Sequence, residues 1–293
     1  MSSVVVIDSG MGGLAVAARL YERARLSELA LAVEFVDIRP PPGRRFEDRR
    51  SHACKLAVLD QALAAIERNF ALDLVVLACN SLSALIPDTD FHARHHRRLL
   101  TVEPPSPADC RTLADDAEVL LFATELTIES GVHRRALISA GVDDRRIVEQ
   151  PCPGLANSIQ DDHACAHTQA LLGRFVVEAV ERRAHPHTPA GVVLACSHYG
   201  FKRRCFAAAL EARGVEVDWL LCPSDAMSDA VFERLAADGR ARAEGLTRTP
   251  GGPSIGLHSH HPVSTRERDN FVDLISPLSV DTAAALDHVR VLA

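Results

Sequence analysis

A chain of 293 residues, 47% hydrophobic and 24% charged, has the composition of an ordinary globular protein and the length for two domains. Its net charge of −7 argues against a nucleic-acid partner, which would need a basic face for phosphates, and no apolar run approaches the roughly 20 residues of a membrane span. The eight cysteines form no C-x-x-C pair and no disulfide framework, and the first residues lack the pattern of a secretory signal. Reduced thiols in a cytoplasmic protein are therefore expected.

In chain order, a strand over 4–8 is followed by the turn Ser9-Gly10-Met11-Gly12-Gly13 and a helix over 14–24. A strand over 31–37 runs into the rigid loop Pro40-Pro41-Pro42-Gly43. A helix is predicted over 47–69 and strands over 74–78 and 99–102, closed by Glu103-Pro104-Pro105-Ser106-Pro107. A second series then begins, with strands over 119–123, 146–149, 192–195 and 215–221. Its helices fall over 126–140, 165–183 and 201–213. A helix over 225–237, a polar linker over 239–253 and a helix over 281–291 complete the chain.

This alternation is the signature of an α/β fold with parallel-type sheets. Two similar αβ lobes are expected, one from 1–103 with 215–293 folding back onto it, the other from 104–214.

Two segments carry the chemistry. Leu74-Val75-Val76-Leu77-Ala78-Cys79-Asn80-Ser81 and Val192-Val193-Leu194-Ala195-Cys196-Ser197-His198 are each an apolar strand ending in Cys, followed at once by small polar residues. The carboxyl ends of strands are where open α/β sheets place ligands. A following helix dipole would favour the thiolate there. Each cysteine also reads as a buried core residue, which the matched contexts disfavour.

Asp8 ends the first strand similarly and could orient a thiol, bind an amino group or cap a helix. His198 could exchange a proton with Cys196, and Glu149 could supply a second acid. The turn after Asp8 lacks G-x-G-x-x-G, so no nucleotide cofactor is expected, although its amides could grip a carboxylate. The remaining cysteines read as packing or surface. The clusters His92, His95, His96 and His258, His260, His261 lack further ligands, so no metal is expected. The Arg-rich runs at 43–50 and 95–98 read as solvated faces.

Taken together, these motifs resemble the aspartate/glutamate racemase family, and the glutamate racemases within it most. The residues that carry the resemblance are Asp8-Ser9-Gly10-Met11-Gly12-Gly13-Leu14, Ala78-Cys79-Asn80-Ser81, Val102-Glu103-Pro104, Ala123-Thr124-Glu125-Leu126-Thr127-Ile128, Val148-Glu149 and Cys196-Ser197-His198-Tyr199. Their order and spacing match from about residue 4 to 200.

The resemblance implies two αβ lobes with the site in the cleft between them, and cofactor-independent racemisation of a bound amino acid by two bases. It makes Cys79 and Cys196 the bases, with Asp8 assisting Cys79, and Glu149 and His198 assisting Cys196. Ser9, Gly43, Asn80, Ser81, Thr124 and Ser197 would hold the substrate. It implies L- and D-glutamate as substrates, D-glutamate feeding peptidoglycan precursors and so cell shape, and homodimers as an assembly state.

Pro42 stands where the family has Tyr, Gly200 replaces Pro, and Ser81 and Ser197 replace Thr with the hydroxyl kept. The Pro42 loop motivates one alternative, a racemase of aspartate, another amino acid or a hydantoin, and that loop together with the unusual C-terminal segment motivates another, a non-catalytic relative that binds a ligand or partner.

Overall fold

Val4, Val5, Val6 and Ile7 are wholly buried in the first strand, as expected of a parallel strand covered on both faces. The computed structural model describes residues 2–40, 51–110, 117–237 and 252–292. The chain divides into two units, residues 1–102 with 225–293, and residues 103–224.

The first unit opens with β1 (Ser2–Asp8), α1 (Leu14–Leu26), β2 (Leu31–Asp37), α2 (His52–Asn69) and β3 (Leu74–Leu77). It continues with α3 (Asn80–Leu85), α4 (Asp90–His95) and β4 (Leu99–Thr101). Ser51 caps α2 by accepting from the Cys54 amide at 3.2 Å. The predicted start of that helix at 47, and Pro42, Gly43 and most of the 239–253 linker, lie outside the described residues.

The second unit holds β5 (Glu118–Ala123), α5 (Glu125–Ser130), α6 (Val132–Ser139), β6 (Ile147–Pro151) and α7 (Leu155–Asp161). It then holds α8 (Ala166–Glu181), β7 (Ala190–Ala195), α9 (Arg203–Glu211) and β8 (Val217–Leu221). The chain returns to the first unit as α10 (Met227–Ala237), β9 (Ser254–Ser259), α11 (Thr265–Ile275), α12 (Val280–Ala285) and β10 (Arg290–Val291).

The first sheet has the order β10-β9-β2-β1-β3-β4 and the second β6-β5-β7-β8, with every described pairing parallel. Within each unit the first four strands follow one plan: second, first, third, fourth. The α/β class and the paired parallel sheets are thus as the alternation predicted. The shared strand order also gives the two Cys segments equivalent places, each following the third strand of its unit.

Three expectations are corrected. The crossing back to the first unit falls at 224/225 rather than 214/215, because β8 is hydrogen-bonded to β7 and completes the second sheet. The single helix expected over 126–140 is two, because Gly131 adopts φ +64 and its amide closes the first helix on the Ile128 carbonyl at 2.9 Å. The final helix stops at Ala285, a short 3₁₀ turn follows, and β-branched Val291 joins a strand paired with β9.

The second sheet packs on both faces. Leu120, Phe122, Val148, Val192, Leu194 and Cys196 meet α7, α8 and α9 on one face. Val119, Leu121, Ile147, Val193 and Ala195 meet α6 on the other. Each fully buried Leu or Val side chain contributes about 1.5–3 kcal/mol of transfer free energy. Glu118 and Arg183 pair at 2.7 Å with both side chains fully buried, and Glu118 also accepts from the Ala184 amide. The extra bonds are what make a buried charge pair tolerable.

Burial on α6 pushes the His133 imidazole down to about 4. The unfolded imidazole, near 6.5, binds a proton that the folded one refuses, so this contribution is complete above pH about 6.5 and is lost as pH falls toward 4. The expected loss is about 3 kcal/mol of unfolding free energy. Urea titrations from pH 6.5 to 4 should show it in the natural protein and not in His133→Gln. Parallel pH curves for the two proteins would refute it.

Candidate active site

The expected residues of the first unit gather where β1 and β3 lie side by side. The sheet order reverses there, since β2 lies on one side of β1 and β3 on the other. Asp8, 1% exposed, ends β1, and the Ala78 amide donates to the Ile7 carbonyl at 2.9 Å, holding the start of the Cys79 segment against it. Ser9 Oγ lies 3.1 Å from Cys79 Sγ. Cys79, Asn80 and Ser81 are all buried.

Gly13 closes this corner. A Cβ there would stand 2.7 Å from Ala78 Cβ and 2.8 Å from Asp8 Oδ2. The loop can pass over the Asp8 carboxylate and the strand before Cys79 only with glycine at this position.

A charge cluster anchors the neighbouring strand ends. Arg39 pairs with both Asp37, which ends β2, and Glu267 of α11, while Ser259 Oγ donates to Asp37 Oδ2 at 3.4 Å. Burial pushes the Asp37 carboxyl up against the pull of Arg39. Glu267 is also half of a capping box with Ser264. The cluster leaves no local signal in the sequence, since Glu267 lies 228 positions from Arg39.

In the second unit the equivalent corner lies between β5 and β7. Thr124 follows β5 and caps α5, its Oγ1 accepting from the Thr127 amide at 3.3 Å and donating to Thr127 Oγ1 at 3.1 Å. Cys196, Ser197 and His198 follow β7, each 6% exposed. Cys196 Sγ lies 3.9 Å from His198 Nδ1, and His198 Nε2 lies 3.0 Å from Gln160 Oε1.

The helix-dipole expectation changes with the described elements. Cys79 is the N-cap of a helix of six residues, as expected, whereas Cys196 lies in a bend and is separated from α9 by a turn and a 3₁₀ segment. Ser9 is a polar neighbour of the Cys79 thiol and His198 of the Cys196 thiol.

Glu149 does not join Cys196. Its carboxylate accepts from Arg134 Nη1 of α6 at 3.1 Å, and the same guanidinium pairs with Asp144 at 2.7 Å. Val148 packs on the Cys196 face of the sheet, so the alternation of a strand sends Glu149 to the opposite face. The residue that does reach His198 is Gln160 of α7. A neutral amide carries no acid–base signal in the sequence.

Cys152 is a third thiol after a strand, but it lies in the core, and burial pushes it well up. All eight cysteines are free. His95 bonds to Glu67 and His258 to Glu34, and no group of three or more metal-ligating side chains occurs among the described residues. No described helix is long and apolar enough to cross a membrane.

No family model matches the sequence. The chain is 31% identical over 225 residues to the glutamate racemase of Paracoccus denitrificans, covering 71% of this chain and 77% of that protein. It is 34% identical to the glutamate racemase of Cereibacter sphaeroides, with the same coverage.

The chain belongs to the glutamate racemase family.

Solved structures of the family share its fold. That of the Francisella tularensis glutamate racemase in complex with D-glutamate gives a TM-score of 0.68 at 18% identity, covering 94% of both chains. That of the Escherichia coli glutamate racemase in complex with L-glutamate and the activator UDP-MurNAc-Ala gives 0.64 at 21% identity, covering 100% of this chain and 98% of that one.

Proposed function

We propose that this racemase interconverts L- and D-glutamate, with Cys79 and Cys196 as paired base and acid on opposite faces of the substrate α-carbon. The observation that carries the reading is that each thiol after a third strand has its own polar partner, Ser9 for Cys79 and His198 for Cys196. A lone reactive thiol could return a proton only to the face it came from. Inversion needs a second donor, and the matched corners of the two units provide equivalent thiols.

The step balances without a co-reactant. One cysteine, as thiolate, takes the α-proton and becomes a thiol. The electron pair is held by the substrate carboxyl group, and the other thiol gives its proton to the opposite face, leaving a thiolate. The two cysteines exchange protonation states in each turnover, so the reverse reaction starts from the product-bound enzyme. Groups with pKa values near the working pH suit this exchange, and cysteine starts from about 8.5.

Asp8 stands beside the Cys79 corner, and Asn80, Ser81, Thr124 and Ser197 are the proposed holders of the carboxylates and ammonium. In this reading the enzyme needs no cofactor, works in the cytoplasm and supplies D-glutamate for peptidoglycan. The relatives described above are glutamate racemases and lend no support to an aspartate or hydantoin racemase, or to a binding-only relative.

The test is incorporation of solvent deuterium at the α-carbon of L- and D-glutamate, followed by circular dichroism of the amino acid. Exchange and loss of optical activity from both enantiomers are expected. Absence of both with folded protein overturns the reading.

A further inference from the structure

Gln160 is absent from every residue set assigned above on sequence grounds, yet it holds the far side of the His198 ring. Its position is built into α7. Leu155 and Ile159 of that helix pack in the same core as Cys196. The end of α7 is tied to the start of α8 by Thr168, wholly buried, whose Oγ1 lies 2.6 Å from Ser158 Oγ and donates to the Asp162 carbonyl at 2.7 Å. These contacts fix the backbone of α7 from which Gln160 reaches His198.

The chemistry of the contact follows from the donor inventory. An amide oxygen only accepts, so His198 Nε2, 3.0 Å away, must carry the proton. The neutral ring then has its lone pair on Nδ1, the nitrogen that faces Cys196 Sγ at 3.9 Å. The arrangement leaves Nδ1 as an acceptor for the Cys196 proton. When Nδ1 takes that proton, the Nε2–H to Gln160 bond persists, so one geometry serves both protonation states of the pair.

We propose that Gln160 is a positioning residue, which locks His198 in the Nε2–H tautomer and so presents a proton acceptor to Cys196. The proposal rests on the two-thiol reading above. Gln160 acts through His198 and does not touch the reacting carbon. It follows that proton transfer at Cys196 depends on Gln160, whereas transfer at Cys79 does not.

Two readouts separate this from a role in packing. The first is nitrogen-15 NMR of the histidine side chains, with His198 assigned by its loss in His198→Gln. The natural protein should show His198 protonated at Nε2, Gln160→Leu should lose that preference, and Gln160→Glu, which keeps an acceptor, should restore it. Protonation at Nδ1 in the natural protein, or an unchanged tautomer in Gln160→Leu, overturns the proposal. This measurement needs no racemase activity, so it stands apart from the fate of the functional reading.

The second readout is kinetic. Enantiomers have equal free energy, so kcat/KM must fall equally in the two directions, and about tenfold or more is expected for Gln160→Leu on the scale of proton-transfer assistance. The deuterium isotope effect with α-deuterated substrate must diverge. It should rise for the enantiomer whose α-proton Cys196 removes, since that step becomes limiting. It should fall for the other enantiomer, where reprotonation by Cys196 limits instead. Equal isotope effects in both directions, with kcat/KM reduced, would assign Gln160 to packing alone.

Discussion

Replacing Cys79 or Cys196 with Ser is expected to lower racemisation by about 10²–10⁴-fold in each case, the range spanned by a general acid or base. Serine preserves size and a hydroxyl, so the Ser9 and His198 neighbourhoods should survive, but an alcohol does not ionise near neutral pH. The loss is therefore chemical. The two variants should also differ in a way that a generic defect cannot mimic. With one thiol left, the α-proton of the enantiomer facing it can still be removed and replaced from the same side. Each variant should wash deuterium into one enantiomer without inversion, and the two should do so for opposite enantiomers. Cys152→Ser is the control: that thiol also follows a strand, but it lies in the apolar core with its pKa pushed up by burial. It should cost stability and leave kcat nearly unchanged. Racemisation within a few fold of normal in either Cys79→Ser or Cys196→Ser would sink the two-base reading.

How much of this was legible beforehand depended on whether the signal was local. The second strand was predicted over 31–37 and is found as Leu31–Asp37, because an alternating apolar run between turns leaves little freedom. The motif residues after β1, β3 and β7 were recognisable because small polar residues directly after a buried run announce a strand end. What escaped depends on pairings far apart in the chain. The stretch after 253 carries β9, α11 and β10, and its placement rests on β2, more than 200 positions away. Glu149 looked like a helper of Cys196 by residue type, but strand parity and Arg134 carry it to the other face. Gln160 gives no such signal, since its value lies in the ring it touches rather than in its own ionisation. Gly131 lies inside an apparently continuous helical pattern, where only its positive φ reveals the break.

Gly13→Ala is the second change expected to act strongly, and here the cause is steric. The added methyl would stand 2.7 Å from Ala78 Cβ and 2.8 Å from Asp8 Oδ2, and neither neighbour can swing aside. Ala78 is bonded to β1 through its amide, and Asp8 is 1% exposed at the end of that strand. The loop must move instead, and it carries Ser9, the partner of Cys79. Overpacking of this kind costs about 1–3 kcal/mol of stability. A displacement of about 1 Å between reacting groups costs on the order of 10²-fold in rate, so kcat should fall further than the loss of fold alone explains. Gly173→Ala supplies the contrast. It lies inside α8, with nothing within 4 Å of the place a Cβ would occupy. The same chemical change there should raise stability by about 0.5–1 kcal/mol through helix propensity and leave kcat alone. Melting temperature and kcat measured on both variants should therefore move in opposite directions for stability, and for activity only at Gly13. A Gly13→Ala enzyme with normal kcat would show that the Asp8–Cys79 corner tolerates displacement, and the case for close alignment of Ser9 with the Cys79 thiol would go with it.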